Sequence, residues 1–163
     1  MSGQIIIVDK NDKIIGYSSR QDMNAKDIYR VSALWLTNTN GGILLAKRSS
    51  NKKHHPDRWG PAVAGTVEKG ESYYDNIVKE AEEDIGLKNI NFVKGSKTFN
   101  TSEYNHYTQW YIAVVDKDSK DFIVEPKEVA EVRWFTKEEI EEKLANEPDF
   151  FIPNLKYYFK LFK

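Results

Sequence analysis

The sequence predicts an α/β fold, a mixed sheet with few helices, on three observations. Short β-rich runs recur along the chain with turn formers between them. One acid-rich helical stretch, residues 72–85, interrupts them in the middle. A second helical pattern closes the chain. No repeat, low-complexity segment or Pro/Gly/Ser-rich linker breaks the 163 residues, which suits one domain over 1–163.

In order, residues 4–8 (QIIIV) and 13–18 (KIIGYS) flank Asp9-Lys10-Asn11-Asp12, a turn, and predict a hairpin. Residues 31–37 (VSALWLT) and 42–47 (GILLAK) flank Asn38-Thr39-Asn40-Gly41 and predict a second hairpin with an Asn-Gly signal. The stretch SSNKKHHPDRWGP that follows is rich in turn formers and cations and reads as a loop. Residues 62–67 (AVAGTV) predict a short strand, and Gly86 closes the helix behind it. Residues 91–99 and 107–115 predict strands around the polar TSEYNH, and residues 129–135 a last strand. Thr136 with Glu139 forms a capping box for a helix. Leu155, Tyr158, Phe159 and Phe162 fall at helical spacing in the tail.

Composition narrows the function classes. A net charge of -1 sets up no strong field, so neither nucleic acid nor an anionic membrane is an expected partner. The chain has no cysteine, which excludes disulfides, thiolate metal sites and cysteine nucleophiles and fits a reducing compartment. The apolar run Ile5–Val8 is too short for a signal-peptide core or a membrane span, so the expected location is cytoplasmic. Aromatic content of 13% is high, a weak pointer to a stacking ligand beside its ordinary use in cores.

The middle helix carries the chemistry. Wound at helical period, Tyr74, Ile77, Val78, Ala81 and Ile85 gather on a core face. Glu80, Glu83 and Asp84 stand at i, i+3 and i+4 on another face, where like charges repel. They also crowd the negative pole of the helix, which prefers cations. A cation held between them reverses the sign of that arrangement, and hard oxygens without His or Cys suit Mg²⁺ or Mn²⁺. The plain alternative is a solvated charged face with Lys79 as a local partner of Glu83. Ahead of the helix, Gly65 and Gly70 punctuate a loop and Glu71 sits just before the first turn, where a carboxylate is favoured.

The stretch from Gly65 to Leu87 resembles the signature of the Nudix hydrolases, Gly-x5-Glu-x7-Arg-Glu-U-x-Glu-Glu-x-Gly-U, with U a bulky apolar residue. Gly65, Glu71, Glu80, Glu83, Gly86 and Leu87 match; Lys79 stands for Arg, Asp84 for Glu, and Ala81 is small for its slot. Lys keeps the charge but loses the bidentate fork, and Asp shortens the reach of the carboxylate. LLAKRS, DRWGPAVAG and EVAEVRWFTKEEI also sit where Nudix domains carry similar stretches, so the resemblance spans the chain. It implies an α/β/α sandwich around a mixed sheet, with the signature as loop-helix-loop.

The resemblance further implies hydrolysis of a nucleoside diphosphate linked to another group X, with Mg²⁺ or Mn²⁺ on the pyrophosphate and water attacking phosphorus. By analogy Glu80, Glu83, Asp84 and the Gly65 carbonyl hold the metal, and Glu71 orients them through Lys79 or contacts the metal directly or through water. Glu128 is the choice for the base and Glu125 the alternate, with Glu103 and His106 as a third option. Arg48 and Trp59 are candidates for the phosphate and for a base or sugar; either is equally an ordinary surface or core residue. Lys52, Lys53, His54, His55 and Arg58 form a cationic loop that attracts polyphosphate or is simply solvated. A homodimer is common in the family, and no residue here specifies one.

The N-terminal hairpin, the passage from SRQDM to YRVSALW and the tail also resemble the Nudix branch that includes isopentenyl-diphosphate isomerase. That branch uses a Cys and His metal ligands, whereas this chain has no Cys and Tyr29 stands where relatives often carry His. A second rival is a non-catalytic Nudix sensor of nucleotides or diphosphates. Such domains usually lose motif carboxylates, and all four acid positions here remain acidic.

Overall fold

Asp9 opens the first turn by accepting from the backbone N–H groups of Asn11 and Lys13 through Oδ1, at 2.8 and 3.0 Å. It joins β1 (Ile5–Val8) to β2 (Ile14–Ser18), antiparallel as expected. The computed structural model describes residues 3–101 and 104–163. The next strand, β3 (Ile28–Thr37), starts earlier than the sequence pattern suggests and organises the sheet. One edge pairs in parallel with β8 (Asn105–Val114) along its whole length, from Ile28 opposite Asn105 to Thr37 opposite Val114. Its other edge is shared in turn by β1, by β6 (Val63–Thr66) and by β4 (Ile43–Arg48).

β4 meets β3 only at Leu36–Leu44 and Thr37–Ile43. Beyond that it pairs with β5 (Trp59–Pro61) on one side and β9 (Val129–Phe135) on the other. Residues 59–67 therefore make two short strands rather than the one expected at 62–67, and Trp59–Pro61 belong to the sheet instead of the loop. β7 (Val93–Asn100) closes the outer edge against β8.

Alternation along β3 and β4 divides the core. Leu34, Leu36, Leu44 and Ala46 face α1 (Tyr73–Ile85), where Ile77, Ala81 and Ile85 meet them. Ala33, Trp35, Ile43 and Leu45 face the other way. There α2 (Lys137–Asn146) brings Ile140, and α3 (Leu155–Phe162) brings Leu155, Tyr158 and Phe159. Helices on both faces of a mixed sheet are the α/β/α sandwich that the resemblance implies. The Thr136 and Glu139 capping box is present as read, with Glu139 N donating to Thr136 Oγ1 at 3.0 Å.

Two residues depart from the periodic reading of α1. Tyr74 and Val78 are exposed, not core. The buried stripe is rotated toward Asn76 and Asp84, because the helix packs its acid side, not only its apolar side, against β6.

Candidate active site

Gly70, with φ of +91°, turns the chain from β6 toward α1. Ser72 then caps the helix: its Oγ accepts from Asp75 N at 3.0 Å and the Asp75 carboxylate accepts from Ser72 N at 3.1 Å. Glu71 is thus not the cap. Its Oε1 accepts from Glu68 N at 2.8 Å and from Asn76 Nδ2 at 3.2 Å, and its Oε2 lies 2.5 Å from Lys79 Nζ. Burial works to raise the Glu71 carboxyl, and these bonds together hold it below the ordinary range. Lys79 also reaches Glu68 at 3.7 Å and Glu80 at 4.0 Å, so the brace forms with Lys in the Arg position.

Asn76, Glu80 and Asp84 follow one another at four-residue intervals and share a stripe of α1. The stripe faces β6 at Gly65, which is paired with Ser32 inside the strand and not in a loop. A Cβ on Gly65 would stand 2.4 Å from Glu80 Cγ and 2.6 Å from its Cδ. Glycine is needed there for close approach, not for a special backbone angle. Asn76, which the sequence reading passed over, is fully buried and also donates to the Thr66 carbonyl at 3.0 Å. It ties β6, Glu71 and α1 together.

The negative pole of the helix is answered in part by backbone. Gly86 ends α1 at φ +68°, and any Cβ there would lie 2.9 Å from Ile123 Cβ. Ile123 N and Glu125 N donate to the last carbonyls, Ile85 O at 3.2 Å and Asp84 O at 2.9 Å. This segment brings Glu128 beside Asp84. Glu128 pairs with Lys52 of the cationic loop, and its carbonyl accepts from Ser49 N at 3.1 Å.

Two carboxyls carry the electrostatic strain. Burial, then the Asp84 charge, pushes Glu80 up to about 7; burial, then Glu128 and Glu83, pushes Asp84 up to about 7. Among the described residues no three such side chains converge tightly enough to cage an ion. The donor set nevertheless fits a hard divalent cation: all-oxygen, half-buried and repelling itself. Glu83, one turn along, is exposed.

The sign of the pH effect follows. Ordinary values are 4.5 for Glu80 and 3.8 for Asp84, so the folded state holds these protons more tightly than the unfolded chain. Their contribution to stability is whole below the ordinary values and is lost as pH rises through about 7. In EDTA the melting temperature is expected to fall between about pH 5 and pH 8, and millimolar Mg²⁺ or Mn²⁺ to restore it at the upper end only. A flat profile with no metal effect would remove both acids from a cation site.

Arg48, Lys52, Asp84 and Glu128 are among the residues lining a cavity of about 240 Å³ between β4, β6 and β8. Arg48 is half-buried, and its Nε donates to the His54 carbonyl at 2.9 Å. Burial lowers its pKa, against the opposing pull of Glu128. His106 lines the same cavity, and burial pushes it down to about 4. Glu103 lies outside the described residues. Trp59 is 5% exposed and stacks on Phe150 at 5.8 Å, beside Phe135. Its stacking role toward a substrate gives way to a core role, because α2 and the segment after it cover the ring.

Comparison with known proteins gives the family and the fold. The model of the NUDIX domain matches residues 27–155. An uncharacterized Nudix hydrolase of Yersinia pestis is 30% identical over 135 residues, 82% of this chain and 73% of that protein. YfcD of Escherichia coli, also an uncharacterized Nudix hydrolase, is 26% identical over 82% of this chain and 74% of its own length. Among solved structures, one from Deinococcus radiodurans superposes with a TM-score of 0.84 at 19% identity, covering 98% of this chain and 99% of that one. A MutT NUDIX hydrolase from Burkholderia pseudomallei gives 0.67 at 16%, covering 83% and 98%. With the stretch from Gly65 to Leu87 carried on β6 and α1, the chain belongs to the Nudix hydrolase family, which acts on pyrophosphate bonds with divalent metal ions.

Proposed function

We propose that this protein is a Mg²⁺- or Mn²⁺-dependent pyrophosphohydrolase that cleaves a diphosphate linked to a group X by water attack on phosphorus. One observation carries the reading: half-buried Glu80 and buried Asp84 stand one turn apart on α1, Glu80 against a strand kept open by Gly65, and burial with repulsion among the acids raises both carboxyls to about 7. A fold tolerates such self-repulsion where a ligand cancels it. Glu80, Glu83, Asp84 and the Gly65 carbonyl are the metal ligands. The bound cation supplies charge neutralisation and lowers the pKa of water.

The remaining roles follow from position. Glu71, fixed by Glu68 N, Asn76 and Lys79, orients Glu80 and is a positioning residue. Glu128 takes the proton of the attacking water; Glu125, whose N–H caps α1, is the alternate. Arg48 and Lys52, which line the cavity, meet the phosphates. Little covalent chemistry is asked of the protein, and the work is positioning plus neutralisation. The substrate is a small molecule, and the site of action is the cytoplasm. No helix among the described residues is long and apolar enough to cross a membrane.

The test is phosphate or nucleotide release from a panel: nucleotide sugars, ADP-ribose, dinucleoside polyphosphates and prenyl diphosphates. Release is expected with Mg²⁺ and not with EDTA. Metal binding without turnover on any diphosphate would favour the sensor; double-bond migration in a prenyl diphosphate would favour the isomerase.

A further inference from the structure

A second cleft opens on the opposite face of the sheet from the hydrolytic cavity. His106 and Thr108 of β8 line that cavity. Side chains alternate along a strand, so Asn105 and Tyr107 stand on the other face, with Ile28 beside Asn105 in the parallel register. These three residues, with Phe99, Lys10 and Lys26, line a cleft of about 500 Å³. None of the six lines the first cavity, and none has a part in the hydrolytic reading.

The cleft is held together by its own floor. The Tyr107 hydroxyl donates to the carbonyl of Lys10 in the β1–β2 turn. Asn105 Nδ2 donates to the carbonyl of Ala25, next to Lys26, at 3.3 Å. β8 thus fixes both lysine-bearing segments against one wall. Phe99 stands across from Tyr107 on β7, with ring centroids 4.9 Å apart, and is 47% exposed. The pair gives the cleft an aromatic surface between its two cations.

The charge of the cleft is unbalanced. The carboxylates of the same segments are committed elsewhere. Asp9 accepts from Asn11 N and Lys13 N. Asp12 pairs with Arg30 at 2.8 Å and Lys97 at 2.7 Å and accepts from the Tyr73 hydroxyl at 2.8 Å. Asp27 accepts from Asn24 N at 2.9 Å. Lys10 and Lys26 are exposed, and among the described residues neither forms an ion pair.

We propose that this cleft is a second ligand site, taking a small anion that carries a planar ring. The ring lies against Phe99 and Tyr107, and the anionic group meets Lys10 and Lys26. An uncharged ring would leave two lysines without a counter-ion, and a bare phosphate would leave the Phe99 ring in water. A chain net charge of -1 disfavours a long polyanion, and a cleft of about 500 Å³ is the size of a small-molecule site.

The test is an amide chemical-shift titration of the full chain in EDTA. The probes are phenyl phosphate and adenosine 5′-monophosphate, beside inorganic phosphate and uncharged adenosine. The amides of Ile28, Phe99, Asn105 and Tyr107 are expected to shift and saturate together with at least one ring-bearing phosphate. That affinity should exceed those for inorganic phosphate and adenosine by about 10-fold or more, the scale of one stacked ring. Phe99→Ala removes the exposed ring and is expected to lose about 10-fold. The double variant Lys10→Gln, Lys26→Gln should lose about as much, and added salt should weaken wild type in the same direction. All three residues are exposed, so both variants should fold. No shift at these amides, shifts confined to Ala46, Val63 and Ala64 of the first cavity, equal affinity for inorganic phosphate, or unchanged affinity in either variant would overturn the proposal. Binding is read without turnover and on other residues than the acids of α1, so this inference and the hydrolytic reading fail separately.

Discussion

Glu83→Gln is expected to lower turnover by about 100-fold or more, because it removes a carboxylate from the cation while leaving its shape. Glu83 is exposed on α1. Surface substitutions of that kind usually shift stability by less than about 0.5 kcal/mol, so the melting temperature should hold while activity falls. That split is the useful feature of this variant. Glu80 and Asp84 are half-buried or buried beside other acids, and neutralising either one relieves repulsion as well as removing a ligand. Near-normal turnover in Glu83→Gln would take Glu83 out of the site.

Gly65→Ala should damage both fold and function. The new methyl would overlap Glu80 Cγ and Cδ, at 2.4 and 2.6 Å, near the root of that side chain where flexibility is least. Either Glu80 swings away from β6 or α1 and β6 separate. Overpacking of this kind costs about 1–3 kcal/mol, and the displaced carboxylate should lower turnover by about 10-fold or more even where the variant is folded. Gly70→Ala is the control. Gly70 has φ of +91° and nothing within 4 Å, so it should lose about 1–2 kcal/mol to backbone strain and keep its activity when folded. Equal turnover in Gly65→Ala and wild type would mean that Glu80 does not need its place against the strand.

These two predictions differ in how far the sequence alone supports them. The i, i+3, i+4 spacing on α1 made Glu80, Glu83 and Asp84 legible, and the hairpin turns and the Thr136 capping box were legible for the same reason: each is set by residues a few positions apart. Gly65 was also singled out, but as a loop glycine. Its real constraint comes from Glu80, fifteen positions along the chain and in contact only after folding. Tyr74 and Val78 were misplaced because periodicity ranks apolar residues and cannot see that an Asn and an Asp take the buried side of the helix. The same blindness hid Asn76, although its four-residue spacing from Glu80 was a signal in the sequence.

The segment from Ile123 to Glu128 gave no local pattern at all. It matters because its N–H groups meet the end of α1 and because it sets Glu128 beside Asp84. Trp59 was open between core and ligand until the segment after α2 covered it. The cavity wall on β8 was invisible for a related reason. His106, Thr108 and Trp110 alternate along β8 like any strand, and only the parallel register with β3 and the approach of Tyr158 turn them into a wall.

Negative charge at the negative pole of α1 is met in two ways. Backbone donors from Ile123 and Glu125 meet the carbonyls, while the carboxylates stay repelled and await a cation. The claim that this cation activates water against phosphorus is tested most directly by hydrolysing the best panel substrate in ¹⁸O-labelled water, with Mg²⁺ and with EDTA. The account predicts one labelled oxygen in a phosphate-bearing product and no release in EDTA. Unlabelled phosphates, label confined to the non-phosphate product, or release that EDTA leaves intact would contradict it.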